Sequence, residues 1–329
     1  MTYLPFAEIS ISNLTVFAIG LTVGIIEGIF GPLANLFMVP ALSIFGLPPS
    51  IAASANAGQS FGRSSIFIFG GGKDHLALYR AGTVAGIAGL PGVLLGFKLH
   101  LLLLGSGWGK GVFLLLYAAL LSGSAAVLYR HWAFFNRHHY YEDAPFPSFG
   151  LNWRFPLAVP GGSGVAHLTP ARVILTGLLL GFGSGLLGLV AGIAGIPLFM
   201  YLLGLPLKNA LATDNVAMLV IGAGTILCYA AAGRLELAVV LLLLAAAALG
   251  SRIGTLFPGD LSLGHARLAL ALLLGVTAAA VSIALISPAY SRVIISVAGL
   301  ALCASTALYA VIPENFWAGR ISRLIRGAK

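Results

Sequence analysis

The chain has 329 residues, of which 59% are hydrophobic and only 8% are charged, and its formal net charge is +9. Soluble domains carry about 25% charged residues, so this composition excludes an ordinary soluble protein and predicts the lipid bilayer as the solvent. Lys and Arg fall mostly in loops and near the C-terminus, which indicates cytoplasmic loops rather than a nucleic-acid partner.

Nine apolar runs have the length expected of membrane-spanning helices, which need about 20 residues. They are residues 12–32, 50–72, 81–104, 108–130, 171–190, 209–233, 236–257, 263–286 and 290–312. Two shorter pieces, 33–46 and 191–204, cannot span the bilayer unless they are broken or re-entrant. No cleaved signal peptide is expected, because the N-terminus lacks a basic segment and a cleavage site. The sequence therefore predicts an all-α polytopic membrane protein with about eight to ten transmembrane segments.

The two halves of the chain resemble each other. A shift of 157 residues gives gap-free matches at Gly20, Leu21, Gly24, Gly28, Gly31, Ala34, Pro40, Pro49 and Ala53. A shift of 154 then aligns GFK at 96–98 with GSR at 250–252, which pairs Lys98 with Arg252. Repeated glycine and proline matches at one offset indicate an internal repeat, which is typical of transporters.

The distribution of positive charge predicts how the repeats are oriented. If the tail at 320–329 is cytoplasmic and each short piece returns the chain to its starting side, thirteen Lys and Arg lie inside and four outside. A topology in which each pair crosses only once gives about nine inside and eight outside, so the first is preferred. We therefore expect inverted repeats at 1–130 and 171–286, a polar connecting loop at 131–170, and an extra helix with a basic tail at 287–329.

Two segments rich in glycine and proline interrupt the repeats at matching positions. They are GIFGPLANLFMVP, residues 28–40, and GLLGLVAGIAGIP, residues 185–197. A break inside a bilayer must turn the freed backbone groups toward protein or water, and the N-terminus of a half-helix favours anions. These segments therefore predict an anion site. The alternative is close helix packing, because two sets of glycines are spaced four residues apart, Gly20, Gly24 and Gly28 in the first repeat and Gly177, Gly181 and Gly185 in the second.

A polar cluster follows each break, SANAGQSFGR at 54–63 and ATDNVA at 212–217. The spacing of Asn56 and Gln59 allows them to share a helix face. The residues of the second cluster, Thr213 to Asn215, have two interpretations, either lining a site or capping the N-terminus of the next helix.

Arg63 lies near the middle of its apolar run, where a charge costs about 3 kcal/mol on insertion scales. It should pair with a carboxylate such as Glu27 or Asp214, or face a wet cavity. Snorkelling to the membrane interface is the alternative.

These observations give a set of candidate functional residues. The expected substrate-binding residues are Gly28, Gly31, Asn35, Asn56, Gln59, Arg63, Gly188, Gly192, Gly195, Thr213 and Asn215. Glu27 or Asp214 could carry a coupling proton, and Lys98 and Arg252 could line an anion vestibule or simply snorkel. No catalytic cluster, nucleotide-binding loop or strong metal motif is found, so neither an enzyme nor a cofactor is expected.

The second half carries the run GLLGLVAGIAGIPLFMYLLGLPLKNALATDN, residues 185–215. Together with the paired glycine segments and the later L-G-x-[KR] element, this run resembles the sulfite exporter TauE/SafE family over roughly residues 12–130 and 171–286. The first half departs from the pattern, because GPLAN places Asn35 where the repeat has Gly192. This departure could alter the substrate.

The resemblance implies a secondary active transporter of small sulfur-containing anions, such as sulfite or organosulfonates, in a prokaryotic cytoplasmic membrane. The expected partners are the anion, a coupling proton or sodium ion and the lipid bilayer, with a homodimer left open and a cytoplasmic C-terminus. An anion channel, a transporter of another small organic anion and a non-transporting partner protein remain alternatives.

Overall fold

The computed structural model describes residues 2–4, 9–30, 35–70, 78–105, 109–138, 169–188, 195–205, 207–255, 263–285, 287, 290, 292 and 294–295. These residues form ten helices, α1 Asn13–Phe30, α2 Asn35–Ile44, α3 Pro49–Phe69, α4 Tyr79–Gly105, α5 Gly109–His138, α6 Pro170–Leu187, α7 Gly195–Tyr201, α8 Leu207–Ala231, α9 Leu237–Thr255 and α10 Leu263–Ala284. Two short strands, β1 Thr2–Leu4 and β2 Ile9–Ile11, pair antiparallel ahead of α1.

The helices have the length and surface expected in a bilayer. Four of those described are long and apolar enough to cross it: Tyr79–Gly105, Pro170–Leu187, Asn209–Ala231 and Leu237–Thr255. Large apolar side chains such as Leu102 and Leu241 are exposed on the outside, where lipid rather than water explains them. The prediction of an all-α polytopic membrane protein is confirmed.

Helices α1, α3 and α9 run in one direction. Gly20 of α1 packs against Ala246 of α9, and Gly28 packs against Gly254 eight residues further along both helices, so α1 and α9 are parallel. Gly58 meets Val240 and Gly62 meets Leu244, so α3 is also parallel to α9. The glycines allow these close contacts because they carry no Cβ.

Helices α4, α6 and α8 run together in the opposite direction. The helices α6 and α4 are parallel, because Gly177 meets Ala85 and Gly181 meets Gly89. Along α8, Gly82 and Gly86 of α4 meet Val216 and Val220 in turn.

The two sets of helices meet along α3 and α8, which are antiparallel. Ser54, near the start of α3, donates to the backbone oxygen of Arg234, just beyond the end of α8. Ser64, near the end of α3, lies 3.5 Å from Asn215 in the first part of α8. Helices related by the repeat therefore run in opposite directions, as an inverted repeat requires.

The short helix α2 belongs to a re-entrant segment. Because α1 and α3 are parallel, the chain between Phe30 and Pro49 must return to the side from which α1 started. The ten residues of α2 span only about 15 Å, half of a bilayer core. The prediction of a re-entrant piece after the first helix agrees with this geometry.

The helices pack around two main hydrophobic cores, which define two helix groups. Helices α1, α2, α3, α5, α9 and α10 surround the first core and form the first helix group. Helices α4, α6, α7 and α8 surround the second core and form the second helix group. The second core also contains Ala57 of α3, but more of the α3 core residues, Ile51, Ala52 and Ala55, lie in the first core. Each group therefore includes helices of the other repeat, since α9 and α10 join the first group and α4 joins the second.

Contacts correct the predicted pairing of Lys98 with Arg252. Gly92 contacts the backbone around Leu178, as Gly250 contacts the backbone around Leu21. The offset between the two glycines is 158 rather than 154, so Arg252 corresponds to Leu94. Both basic side chains are exposed near the ends of their helices.

Two further expectations change. The helix α5 continues to His138, eight residues into the segment that was expected to be a loop from residue 131. Because α8 begins at Leu207, Thr213 to Asn215 lie in its second and third turns and do not form its N-cap. The rest of the connecting loop and the basic tail lie outside the described residues.

Candidate functional site

A buried polar cluster lies at the end of α1, next to α3. Glu27 is one turn from the end of α1, and its carboxylate Oε2 accepts a hydrogen bond from the Gln59 side-chain amide at 3.1 Å. The guanidinium Nε of Arg63 lies 4.0 Å from Glu27 Oε1. The four-residue spacing of Gln59 and Arg63 places both side chains on the face of α3 that meets α1. The prediction that Arg63 pairs with a carboxylate is confirmed, and the carboxylate is Glu27.

This cluster retains hydrogen-bonding capacity. Arg63 Nε and Nη2, Glu27 Oε1 and Gln59 Oε1 are buried and make no hydrogen bond within the described part of the chain. Buried polar groups in proteins are nearly always satisfied, and each one left without a partner costs about 1–3 kcal/mol. The site therefore offers both donors and acceptors to a small polar species. The guanidinium donors suit an oxyanion.

Asn56 connects α3 to the end of α6 in the other repeat. Its side-chain amide donates to the backbone oxygen of Gly188 at 2.7 Å. Gly188 ends α6 with φ of 67°, a left-handed conformation that glycine adopts without strain. A Cβ on Gly188 would lie 2.5 Å from the Cα of Ala53, so the contact with α3 also requires glycine.

In the second repeat, a carboxylate lies against the start of α7. Asp214 of α8 is fully buried, and its Cγ would lie 2.8 Å from a Cβ on Gly195, the first residue of α7. Its neighbours have separate contacts, since Thr213 Oγ1 accepts from the backbone of Leu78 at 3.1 Å and Asn215 approaches Ser64. The carboxylates Glu27 and Asp214 thus lie beside the two broken segments, one in each repeat.

Comparison with known proteins agrees with this architecture. The sequence model of the sulfite exporter TauE/SafE family matches residues 16–281, which include both repeats and both breaks. The chain belongs to the sulfite exporter TauE/SafE family. This family consists of membrane transporters and not of enzymes. No curated protein and no solved structure matches the chain.

Within this TauE/SafE chain, two glycines do not have the predicted role of free N–H donors. Gly28 lies inside α1, where its N–H belongs to the helical hydrogen bonding, and it packs against α9. The N–H of Gly188 donates to Ser184 at 2.8 Å. Close packing, the alternative interpretation, therefore accounts for Gly28, while Gly188 serves as a helix cap.

Some predicted site residues of the TauE/SafE chain fall outside the described part of the structure. Gly31 and Gly192 lie outside the described residues, and Asn35 is described only as the first residue of α2. Lys98 and Arg252 are exposed, and their role as vestibule residues stays a prediction.

The structure also reveals polar residues that the sequence reading missed. Three fully buried side chains contact the end of α6, namely His100 of α4, Tyr117 of α5 and Tyr229 of α8. His100 carried a usable signal, because an ionisable residue inside an apolar span is rare and usually functional. The two tyrosines carried none, since an aromatic side chain in a membrane helix is ordinary.

Proposed function

We propose that the chain is a secondary active transporter that exports small sulfur-containing anions, such as sulfite or organosulfonates, across the cytoplasmic membrane. The observation that carries the proposal is the guanidinium of Arg63, whose buried Nε and Nη2 have no hydrogen-bond partner among the described residues. Two neighbouring N–H donors on a planar cation match two oxygens of a sulfite or sulfonate group. Membership of the TauE/SafE family supports this substrate class.

The substrate would bind where α1 and α3 meet, with Arg63 as its charged ligand. Glu27 lies 4.0 Å from Arg63, so an arriving anion competes with Glu27 for the guanidinium. Two negative charges and one positive charge in a buried site are unfavourable, and a proton on Glu27 restores neutrality. Glu27 is therefore the better candidate for carrying a coupling proton, with Asp214, the buried carboxylate beside α7 in the second repeat, as the other candidate.

Alternating access would follow from movement of one helix group against the other. This proposal is supported by the separate cores of the two helix groups and by the antiparallel packing of α3 against α8. The distribution of Lys and Arg supports a cytoplasmic C-terminus.

Counterflow of labelled sulfite in proteoliposomes tests the proposed site. Arg63→Gln should reduce counterflow by at least tenfold, because an amide cannot replace the charge or the bidentate geometry of a guanidinium, and each 1.4 kcal/mol lost is about tenfold. The matched control is Arg80→Gln at the exposed start of α4, which should transport like the wild type. Equal counterflow by the two variants would refute the site.

Two other functions make different predictions in the same assay. An anion channel would conduct without any dependence on proton or sodium gradients. A transporter of another organic anion, such as a carboxylate, would show Arg63-dependent counterflow with that anion and not with sulfite. The family membership favours the sulfur anions, and the panel of substrates decides among these possibilities.

A further inference from the structure

The C-terminal end of α6 is held by side chains from four other helices. The donors are Tyr229, His100, Tyr117 and Asn56, and the acceptors are the successive backbone oxygens of Gly185, Leu186, Leu187 and Gly188 in the same order. We call these four donors the collar. The last carbonyls of a helix have no partner within the helix, so a buried helix end needs such donors.

Two members of the collar belong to the same helix group as α6. The hydroxyl of Tyr229, on α8, donates to Gly185 at 3.0 Å. His100 Nδ1, on α4, lies 2.8 Å from the oxygen of Leu186, and because a carbonyl only accepts, the ring proton must be on Nδ1. These two bonds remain intact when the second helix group moves as a unit.

The other two members come from the first helix group. Tyr117 lies on α5 and donates to the backbone oxygen of Leu187, while Asn56 lies on α3 and donates to that of Gly188. Both donors are fully buried. Any displacement of α6 relative to α3 and α5 must lengthen these two bonds, although it leaves the first two unchanged.

Packing at the same place also crosses between the groups. The side chains of Leu186 and Leu187 reach into the first core, although α6 belongs to the second. The backbone of Gly188 touches that of Ala53 on α3. The end of α6 is therefore a defined contact between the two helix groups, with polar and apolar parts.

We propose that the collar is a conformational latch, in which Tyr117 and Asn56 hold the two helix groups in the arrangement described here. Breaking these bonds removes from two buried carbonyls the side-chain donors that the described residues supply, which sets a barrier to separating the groups. His100 and Tyr229 have a different role, because they fasten the end of α6 to its own group. This inference does not depend on the transported substrate.

The matched pair Tyr117→Phe and Tyr229→Phe tests the latch. Each change removes one buried hydroxyl donor to α6 and keeps the ring, but only the first breaks a bond between the helix groups. Hydrogen exchange of the purified full chain in lipid nanodiscs, read by mass spectrometry, reports opening on both sides. The peptides to follow cover residues 49–60 of α3 and residues 180–188 of α6.

Tyr117→Phe should accelerate exchange in both peptides by about three- to tenfold, the range expected for losing one hydrogen bond. Tyr229→Phe should accelerate exchange only in the peptide from α6. Asn56→Ala provides a second variant and should give the two-sided pattern of Tyr117→Phe. Two outcomes would overturn the latch and show that the collar only stabilises the fold. One is the same exchange pattern from both tyrosine variants. The other is unchanged exchange in the α3 peptide for both Tyr117→Phe and Asn56→Ala.

Discussion

At the residue scale, the placement of charge inside the membrane is the main constraint on function. Two unit charges at 4 Å attract by about 4 kcal/mol at an effective dielectric near 20, so the attraction between Arg63 and Glu27 is substantial when their side chains are buried. The side chains are 21% and 5% exposed, which limits the help available from water. A substrate anion can replace Glu27 as the partner of Arg63 only if another group neutralises the negative charge of the Glu27 carboxylate.

A proton on Glu27 is the simplest compensation, and Glu27→Gln tests it. The amide mimics the protonated acid in shape and neutrality, so counterflow without a gradient should remain within about threefold of the wild type, a change below 1 kcal/mol. Accumulation driven by a proton gradient should be lost, because the residue no longer exchanges a proton. Both activities can be measured with labelled sulfite in the same proteoliposomes.

The control for this prediction is Asp214→Asn, which makes the same carboxylate-to-amide change at the buried carboxylate of the second repeat. If Asp214→Asn abolishes gradient-driven accumulation and Glu27→Gln preserves it, the coupling residue is Asp214 and the role assigned to Glu27 is wrong. If both variants retain coupling, the driving ion does not use either carboxylate.

The sequence could predict one of these residue contacts and not others. Charges are so sparse in the apolar spans that Arg63 had few carboxylates to pair with, and Glu27 was one of two named. The bond from Asn56 to Gly188 depends on how the chain bends after α6 and on which helix of the other repeat lies opposite. Those are tertiary properties that spacing along a helix does not contain.

At the element scale, glycines on one helix face determine which helices touch. A Cβ on Gly181 would lie 2.9 Å from the Cα of Gly89 and still closer to its carbonyl oxygen, so α6 and α4 are in backbone contact. Gly183, on the same helix, has nothing within 4 Å of such a Cβ. The two glycines therefore differ in their role: Gly181 is required for close packing against α4, whereas Gly183 is not.

Gly181→Ala should destabilise the chain by about 1–3 kcal/mol, because the added methyl forces the two backbones apart. Gly183→Ala should be neutral or stabilise the chain by up to about 1 kcal/mol, since alanine favours the helix more than glycine does. Thermal unfolding in the same detergent measures both changes. Equal losses would contradict the glycine contact between α4 and α6.

The helices themselves were predictable, and their ends were less so. Apolar runs long enough to span a bilayer have no other stable structure than a helix, so the predicted ranges agree with the structure to within a few residues over α1 to α4. Of the two interpretations of Thr213 to Asn215, the N-cap is wrong, because α8 begins earlier, at Leu207. Buried contacts of Thr213 and Asp214 hold these polar residues inside the helix, where propensity alone would place them at its start.

At the scale of the whole molecule, the exchange of helices between repeats gives the fold its symmetry. The first helix of each repeat packs on the fourth helix of the other, α1 on α9 and α6 on α4. The repeat itself was visible in the glycine and proline matches, but the exchange was not, because a sequence offset relates equivalent positions without saying which helices touch.

The antiparallel crossing of α3 and α8 is the feature on which the inverted arrangement depends, and paired cysteines test it. In a chain with Cys228 and Cys303 replaced by serine, Ser64→Cys with Asn215→Cys should cross-link under a membrane-permeant oxidant. Ser54→Cys with Arg234→Cys should also cross-link, since both pairs are in contact. A protease site placed in the segment 145–160 reveals the link, because cross-linked halves stay together on a gel until they are reduced.

The control uses the exchanged pairs, 54 with 215 and 64 with 234. These pairs join opposite ends of the two helices and should not react. If the exchanged pairs react as fast as the original ones, α3 and α8 are not antiparallel and the repeats are not inverted.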